Sequence, residues 1–389
     1  MEGDWMAKLS LSRVAILGAG PIGIEAALYA KACGLPVAVY ERGDVGDHLR
    51  RWDYVRMFTP FGWNVTPLGL AELYRTRGRR DLPQEGDWLT GREFLQSYLL
   101  PLAESATLRD CLHRGHTVLQ VGRTVNRTKS DAGERGPFRL LVREANGQER
   151  IVVADVVLDC TGTLSHPNCI GEGGIPAIGE GAARPHIAWG IEDIRGAKRE
   201  FYAGRSIALI GDGYSAATTI CALAELAEEF PETWVFWISH GPRGAPLPRI
   251  PQDPLKERDR LAVRANALAT RGDGNLEFHP QTVIDEVICR GPESGFRIAG
   301  RTAGRPVSWE VERVIANVGY HADLTLCAPG LIDRPHKQPE TREPGYYILG
   351  VKSYDRDSGF LLRHGFEQIR RVFAHITGQS RLNLYASAA

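Results

Sequence analysis

The chain has no Cys-x-x-Cys pair, no surplus of charge of either sign and no long uninterrupted apolar run. Its seven cysteines, at positions 33, 111, 160, 169, 221, 289 and 327, are odd in number and scattered. That spacing argues against a disulfide framework and against a zinc ribbon. Lysine and arginine total 47, aspartate and glutamate also 47, so the formal charge is zero. Electrostatics therefore make no case for nucleic acid or anionic lipid as a partner. No apolar stretch is long enough to cross a bilayer, and the opening "MEGDWMAKLS" lacks the apolar centre of a secretory signal. The expectation is a cytoplasmic protein with reduced thiols that acts on small molecules rather than on membranes or nucleic acids. No low-complexity arm marks an interaction protein. Composition leaves the oligomeric state open, a homodimer included.

What is present is glycine in the right places. A length of 389 residues exceeds one ordinary core, and two domains are expected. Val14 to Leu17 is a short apolar run suited to a strand buried on both faces. Gly18-Ala19-Gly20-Pro21-Ile22-Gly23 follows at once, and an alanine-rich helix continues to about Lys31. Gly18 permits a tight turn, Gly20 lets backbone approach a pyrophosphate, and Gly23 lets helix and strand pack closely. The helix N-terminus offers free N–H groups and partial positive charge to phosphates. A second strand, Pro36 to Tyr40, ends in Glu41, whose carboxylate can accept from both hydroxyls of an unphosphorylated ribose.

The recipe returns past the middle of the chain. Ile207 to Ile210 reads as a strand, and Gly211-Asp212-Gly213-Tyr214-Ser215-Ala216 as the turn, with alanine for the third glycine. A helix follows to about Glu229, and Trp234 to Ile238 is the next strand. That strand ends in Ser239-His240-Gly241-Pro242-Arg243, without a carboxylate. Ser239, His240 and Arg243 are donors that suit a 2′-phosphate, so the expected ligand is NADPH rather than NADH. Each unit has a similar sequel. "FRLLVREANGQERIVVADVVLDCTG" reads as strand, Asn146-Gly147 hairpin, strand, and a strand ending in Thr161-Gly162. "FRIAGRTAGRPVSWEVERVIANVGY" repeats the plan and ends in Val318-Gly319. The expected fold class is α/β, with two Rossmann-like three-layer domains, each carrying an antiparallel hairpin.

Over nearly its whole length the chain thus resembles the two-dinucleotide-binding-domain flavoproteins, class B flavin monooxygenases in particular. The resemblance implies FAD in a discontinuous domain (about 1–170 and 316–389) and NAD(P)H in an inserted one (about 171–315). It implies FAD contacts from Gly18, Gly20, Pro21, Ile22, Gly23, Glu41 and Arg42, from Trp52 and Val118, and from Thr161 and Gly162 in the connector Asp159-Cys160-Thr161-Gly162. Further contacts fall to Gly350, Phe360 and Leu361. The nucleotide contacts of the second domain fall to Gly211, Gly213, Tyr214, Ser215, Ala216, Ser239, His240 and Arg243. The family's late Gly-Asp motif corresponds to Ile348-Leu349-Gly350-Val351-Lys352, where the aspartate is absent. The tail "GVKSYDRDSGFLLRHGFEQIRRV" is similar to the monooxygenase-like ending, with Asp355 where glycine is expected. The helix after Phe360 is expected to aim its positive end at the flavin.

Disulfide reductases of this superfamily need a close cysteine pair, which is missing. The Asp44–Gly115 excursion carries "DHLRRWDYVRMFTPFGWNVTPLG", where Trp52 and Asn64 resemble residues that monooxygenases keep near the flavin. Phe58, Phe61 and Trp63 fit a core equally well. Thr90-Gly91-Arg92-Glu93 reads as a capping box for a helix to about Ala103. This excursion, with the loops of residues 247–255, is expected to shape the substrate pocket. The FxGxxxHxxx[YF] signature of monooxygenases is absent, and His186 reads as a solvated linker residue. The expected activity is reduction of FAD by NADPH and then activation of molecular oxygen to hydroxylate a small molecule. The alternatives are a reductase or dehydrogenase acting on a quinone, electron carrier or organic substrate, and a non-enzymatic redox sensor.

Overall fold

The computed structural model describes residues 12–77, 82–125, 135–241, 244–271, 274–291, 294–328, 331, 337–355 and 359–386. The chain divides into two compact units, Met1–His166 with His321–Ala389, and Pro167–Tyr320.

The first unit is built on β1 (Val14–Leu17), which is buried along its length. It lies in a five-stranded parallel sheet between β2 (Val37–Glu41) and β3 (Val156–Asp159). Leu112–Arg114 and Tyr346–Ile348 form the two edges. Helix α1 (Pro21–Ala32) is buried from Ile22 to Ala30, which explains why its sequence is apolar on every side. It is covered by the helix Leu362–Ile376, whose Phe366, Ile369, Val372 and Phe373 face inward while Glu367 and Arg371 face out. Tyr29 and Phe373 stack at 5.1 Å between the two helices. Each buried side chain of this size contributes roughly 1.5–3 kcal/mol.

The second unit repeats the plan with β4 (Ser206–Ile210) between β5 (Trp234–Ile238) and β6 (Arg313–Ala316). Helix α2 (Tyr214–Glu229) follows β4, and the sheet is again five-stranded and parallel. Its edges are Leu276–His279 and the short Ala188–Trp189.

The antiparallel appendages are larger than expected. Each hairpin gains a preceding strand, Thr117–Val125 in the first unit and Thr282–Cys289 in the second, giving two three-stranded sheets. Both added strands carry a bulge that breaks the in–out alternation on which a sequence reading depends. The excursion helix opens on the Thr90 capping box: Thr90 N donates to Glu93 Oε2 at 2.7 Å, and Glu93 N donates to Thr90 Oγ1 at 3.2 Å. It reaches Ala103 with one wider turn over Leu95–Leu99. Pro101, which has no N–H to continue the ladder, lies immediately beyond that turn. Asp355 takes φ of +51°, the region where glycine is favoured, and its Oδ1 accepts Ala322 N at 2.9 Å.

Candidate functional site

Two glycine turns have nearly the same shape. Gly20 caps α1 at φ −77°, ψ −177°, and Gly213 caps α2 at φ −85°, ψ −176°. Neither helix has an acidic residue in its first turn or a side chain capping its N–H groups. A Cβ placed on Gly20 or Gly213 would meet nothing within 4 Å, so the space in front of each helix is open. Free N–H groups, a positive helix end and room for a ligand are what a pyrophosphate requires. Gly18 and Gly211 have φ of +95° and +127°, where any other residue would be strained.

In the first unit, Glu41 closes the turn. Its Oε2 accepts Ala19 N at 2.7 Å and its Oε1 accepts Gly43 N at 2.9 Å. Arg42 donates to Ser165 Oγ and reaches His48 Nε2 at 3.2 Å. Burial, with Arg51 and Arg42 adding, pushes the His48 imidazole down to about 4, so the ring is neutral near pH 7. Thr161 abuts Gly18, and Gly162 (φ +69°) lies beside His48 and Val351. Gly350 and Gly365 both close on Ile22, which brings the C-terminal helix against the first turn. Gln368 Oε1 accepts Gly350 N at 2.9 Å. The fold thus gathers Gly18 to Gly23, Pro21 at the first helical position included, with Thr161, Gly162 and Gly350. Leu361 caps the C-terminal helix, its N–H donating to His364 Nδ1 at 3.1 Å, and Phe360 packs beside Gly365.

Three residues of the first unit have other surroundings. Trp52 packs on Gly91 of the excursion helix. Val118 pairs with Val142 and lines the core that contains Leu17 and Tyr40. Asn64 is buried and engaged with its own loop: Oδ1 accepts Thr59 Oγ1 at 2.8 Å, and Nδ2 donates to the Thr59 and Pro60 carbonyls.

In the second unit, Ala216 is buried, Ser215 is half-buried, and Tyr214 lies under the Arg258 guanidinium at 5.6 Å. Arg258 is in turn clamped by Asp253 through two 2.8 Å bonds. Trp237 Nε1 donates to Gly211 O at 2.8 Å, fixing the turn. His240 is exposed, as is His186. Arg243 lies outside the described residues. Residues 249–255 and the first turn of the helix Lys256–Ala269 border an open cavity of about 530 Å³ lined by Arg249, Gln252, Lys256 and Arg260 among others.

Two features escape a sequence reading. Ser239 is buried rather than open to a ligand, and its hydroxyl donates to Asp212 Oδ2 at 2.8 Å. The carboxylate missing from the strand end is therefore supplied by the turn. The second is Lys352, a fully buried lysine. Its Nζ donates to Asp159 Oδ2 at 2.7 Å and Thr161 Oγ1 at 3.0 Å, and Tyr346 OH donates to Asp159 Oδ2 at 2.8 Å. A lysine placed two residues after Gly350, with an aspartate just before Thr161-Gly162, is the only sequence signal for this network.

None of the described cysteines forms a disulfide. Burial pushes Cys33, Cys221 and Cys327 up to about 11, and raises Cys111 and Cys160 as well. None of these five is a ready thiolate. Among the described residues, no helix is long and apolar enough to cross a membrane and no cluster suits a metal ion.

No family model and no curated protein matches the chain. Solved structures do. Ornithine hydroxylase (PvdA) from Pseudomonas aeruginosa matches at TM-score 0.68 and 16% identity, over 95% of this chain and 100% of that one. Bacillithiol disulfide reductase Bdr (YpdA) from Bacillus cereus matches at 0.67 and 16%, over 95% and 99%. DfoA from Erwinia amylovora, a cadaverine monooxygenase described bound to FAD, matches at 0.67 and 15%, over 95% of each chain. The glycine turns of both units leave the room and the free N–H groups that a pyrophosphate requires. The chain has the fold of the flavoproteins with two dinucleotide-binding domains.

Proposed function

We propose that the protein is an FAD- and NADPH-dependent oxidoreductase whose reduced flavin activates molecular oxygen to hydroxylate a small molecule. The reading assigns FAD to the first unit and the nicotinamide dinucleotide to the second. The observation that carries it is the pair of glycine turns with matching cap geometry, each open at its second glycine.

When bound, the flavin accepts hydride and passes electrons onward. The protein's own residues hold and orient. The free N–H groups of α1 would take the pyrophosphate, and Glu41, which accepts Ala19 N, would accept from the ribose hydroxyls. The Lys352–Asp159–Thr161 network stiffens the connector beside Gly18. The helix beginning at Leu362 would offer its positive end to negative charge that develops on a bound flavin. In the second unit the α2 N-terminus, with Ser215, His240 and Arg243, receives the phosphates of NADPH.

Oxygen is favoured over a disulfide as the acceptor because the sequence has no Cys-x-x-Cys pair and burial raises five of the thiols, Cys160 among them. The hydroxylase and monooxygenase named among the similar folds point to an amine as the first substrate class to try. The test begins with the spectrum of the purified protein, which should show bound flavin. Anaerobic NADPH should bleach it. Oxygen should then restore it, with label from ¹⁸O₂ entering an amine product. Faster reoxidation by a quinone, with no labelled product, would overturn the oxygen route. A protein that retains no flavin would overturn the whole reading.

A further inference from the structure

The two units correspond residue for residue through their strand registers. Leu17 pairs with Tyr40 as Ile210 pairs with Ile238. Gly18 N donates to Tyr40 O at 2.8 Å, and Gly211 N donates to Ile238 O at 3.0 Å. Ala19 therefore corresponds to Asp212, Glu41 to Ser239, and Gly43 to Gly241.

Across that correspondence the carboxylate changes sides. In the first unit it stands on the strand end and accepts from the turn (Ala19 N) and from the following loop (Gly43 N). In the second it stands on the turn: Asp212 Oδ2 accepts Ser239 Oγ at 2.8 Å from the strand end and Gly241 N at 3.1 Å from the loop. Both arrangements put a carboxylate oxygen in the gap between the glycine turn and the end of the second strand. In a dinucleotide-binding βαβ unit that gap receives the adenosine ribose, and a carboxylate there accepts its hydroxyls. Ser239 cannot offer a phosphate a free donor, because its one O–H serves Asp212 while its oxygen accepts Gly241 N at 2.8 Å. A 2′-phosphate entering this gap meets a negative charge, and a 2′-hydroxyl meets an acceptor.

We propose that Asp212 is the specificity-determining residue of the second dinucleotide site, reading the adenosine ribose from the turn and keeping NADH in use beside NADPH. This rests on the assignment of a nicotinamide dinucleotide to the second unit. The exposed His240 just past the strand end favours the phosphorylated form, and Asp212 favours the unphosphorylated one.

The experiment measures anaerobic flavin reduction in the FAD-loaded protein by NADPH and by NADH separately. The wild type should use both, with kcat/KM values within about tenfold of each other. Asp212→Asn should move the ratio toward NADPH by about tenfold or more, by weakening NADH and tightening NADPH. Ser239→Ala, which keeps the charge, should leave the ratio within about threefold of wild type. An unchanged ratio in Asp212→Asn overturns the proposal. So does equal loss of both dinucleotides with flavin retained, which would make Asp212 a brace of the turn. If Asp212→Asn does not fold, Asp212→Ser replaces it under the same criteria, and a wild type that reduces with NADPH alone is a contrary result by itself. A wild type that holds FAD and accepts neither dinucleotide removes the second-site assignment, an outcome distinct from all of these.

Discussion

Positions 23 and 216 occupy the same place in the two motifs, yet one is glycine and the other alanine. A Cβ on Gly23 would lie 2.0 Å from the Gly18 carbonyl oxygen, so α1 and its turn are in backbone contact. Each turn also approaches the residue after the neighbouring strand, with a Cβ on Gly18 2.8 Å from Cys160 O in the first unit. In the second unit a Cβ is already present at Ala216. There a Cβ on Gly211 would lie 2.3 Å from Asn317 O. Asn317 is locked by Thr219 Oγ1 at 2.7 Å and by its own bond to Gly190 O. Both turns lean on the residue that follows the neighbouring strand, and only the first leans on its helix as well. A third glycine is thus not a fixed demand of the motif; it is needed where helix and turn touch.

The largest effect should come from breaking that contact. Gly23→Ala should abolish FAD binding, because a backbone oxygen cannot yield as a flexible side chain can. The reverse change, Ala216→Gly, should cost only about 1 kcal/mol of helix propensity and leave nicotinamide use intact. Flavin content by absorbance and thermal melts of both variants make the check. A Gly23→Ala protein with full flavin would contradict the account.

The next difference lies at the end of the strand beside each turn. Leu17 pairs with Asp159 in the first unit, and Ile210 pairs with Ala316 in the second. Asp159 is fully buried and held by Lys352, Tyr346 and Thr161; Ala316 needs no partner. Lys352→Met should therefore cost about 3–5 kcal/mol, the cost of leaving a buried carboxylate without its cation. Adding Asp159→Ala, which makes the first unit resemble the second, should recover part of it. Urea midpoints of the single and double variants decide this. An additive double variant would mean that the pair is not coupled.

How far the sequence could be read follows the same division. Val14–Leu17, Trp234–Ile238, both glycine turns and both following helices are legible because local rules determine them: short buried runs, glycine at positive φ, helices that begin after the turn. Thr117–Val125 and Thr282–Cys289 are not, since a bulge disrupts the period of each. Asp212 and Lys352 are illegible for a different reason. Nothing local to a turn aspartate or a tail lysine names its partner until the fold brings Ser239 and Asp159 to them. Asn64 stands between these cases: its turn is local, but its side chain closes the loop rather than pointing to a ligand.

The smallest effect concerns a buried contact between the excursion and the first helix. Glu25 corresponds to Thr218, whose hydroxyl simply donates to Tyr214 O at 2.9 Å. Glu25 is buried, accepts Thr66 Oγ1 at 3.0 Å and receives the Tyr98 hydroxyl, both from the excursion that the second unit lacks. Burial pushes its carboxyl up to about 7, against the bonds from Tyr98 and Thr66 that pull it down. In the unfolded chain the group ionises near its ordinary value of 4.5. Between these two values the folded protein holds a proton that the unfolded chain has released. The contribution to stability is therefore fully present below about pH 4.5 and is lost as the pH rises through about 7. The loss amounts to about 3 kcal/mol. Glu25→Gln keeps the shape without the titration, so the gap between variant and wild type should widen from about pH 5 to about pH 8. Urea midpoints at the two pH values measure it. A gap that stays constant would mean that Glu25 is already ionised in the folded protein at the lower pH.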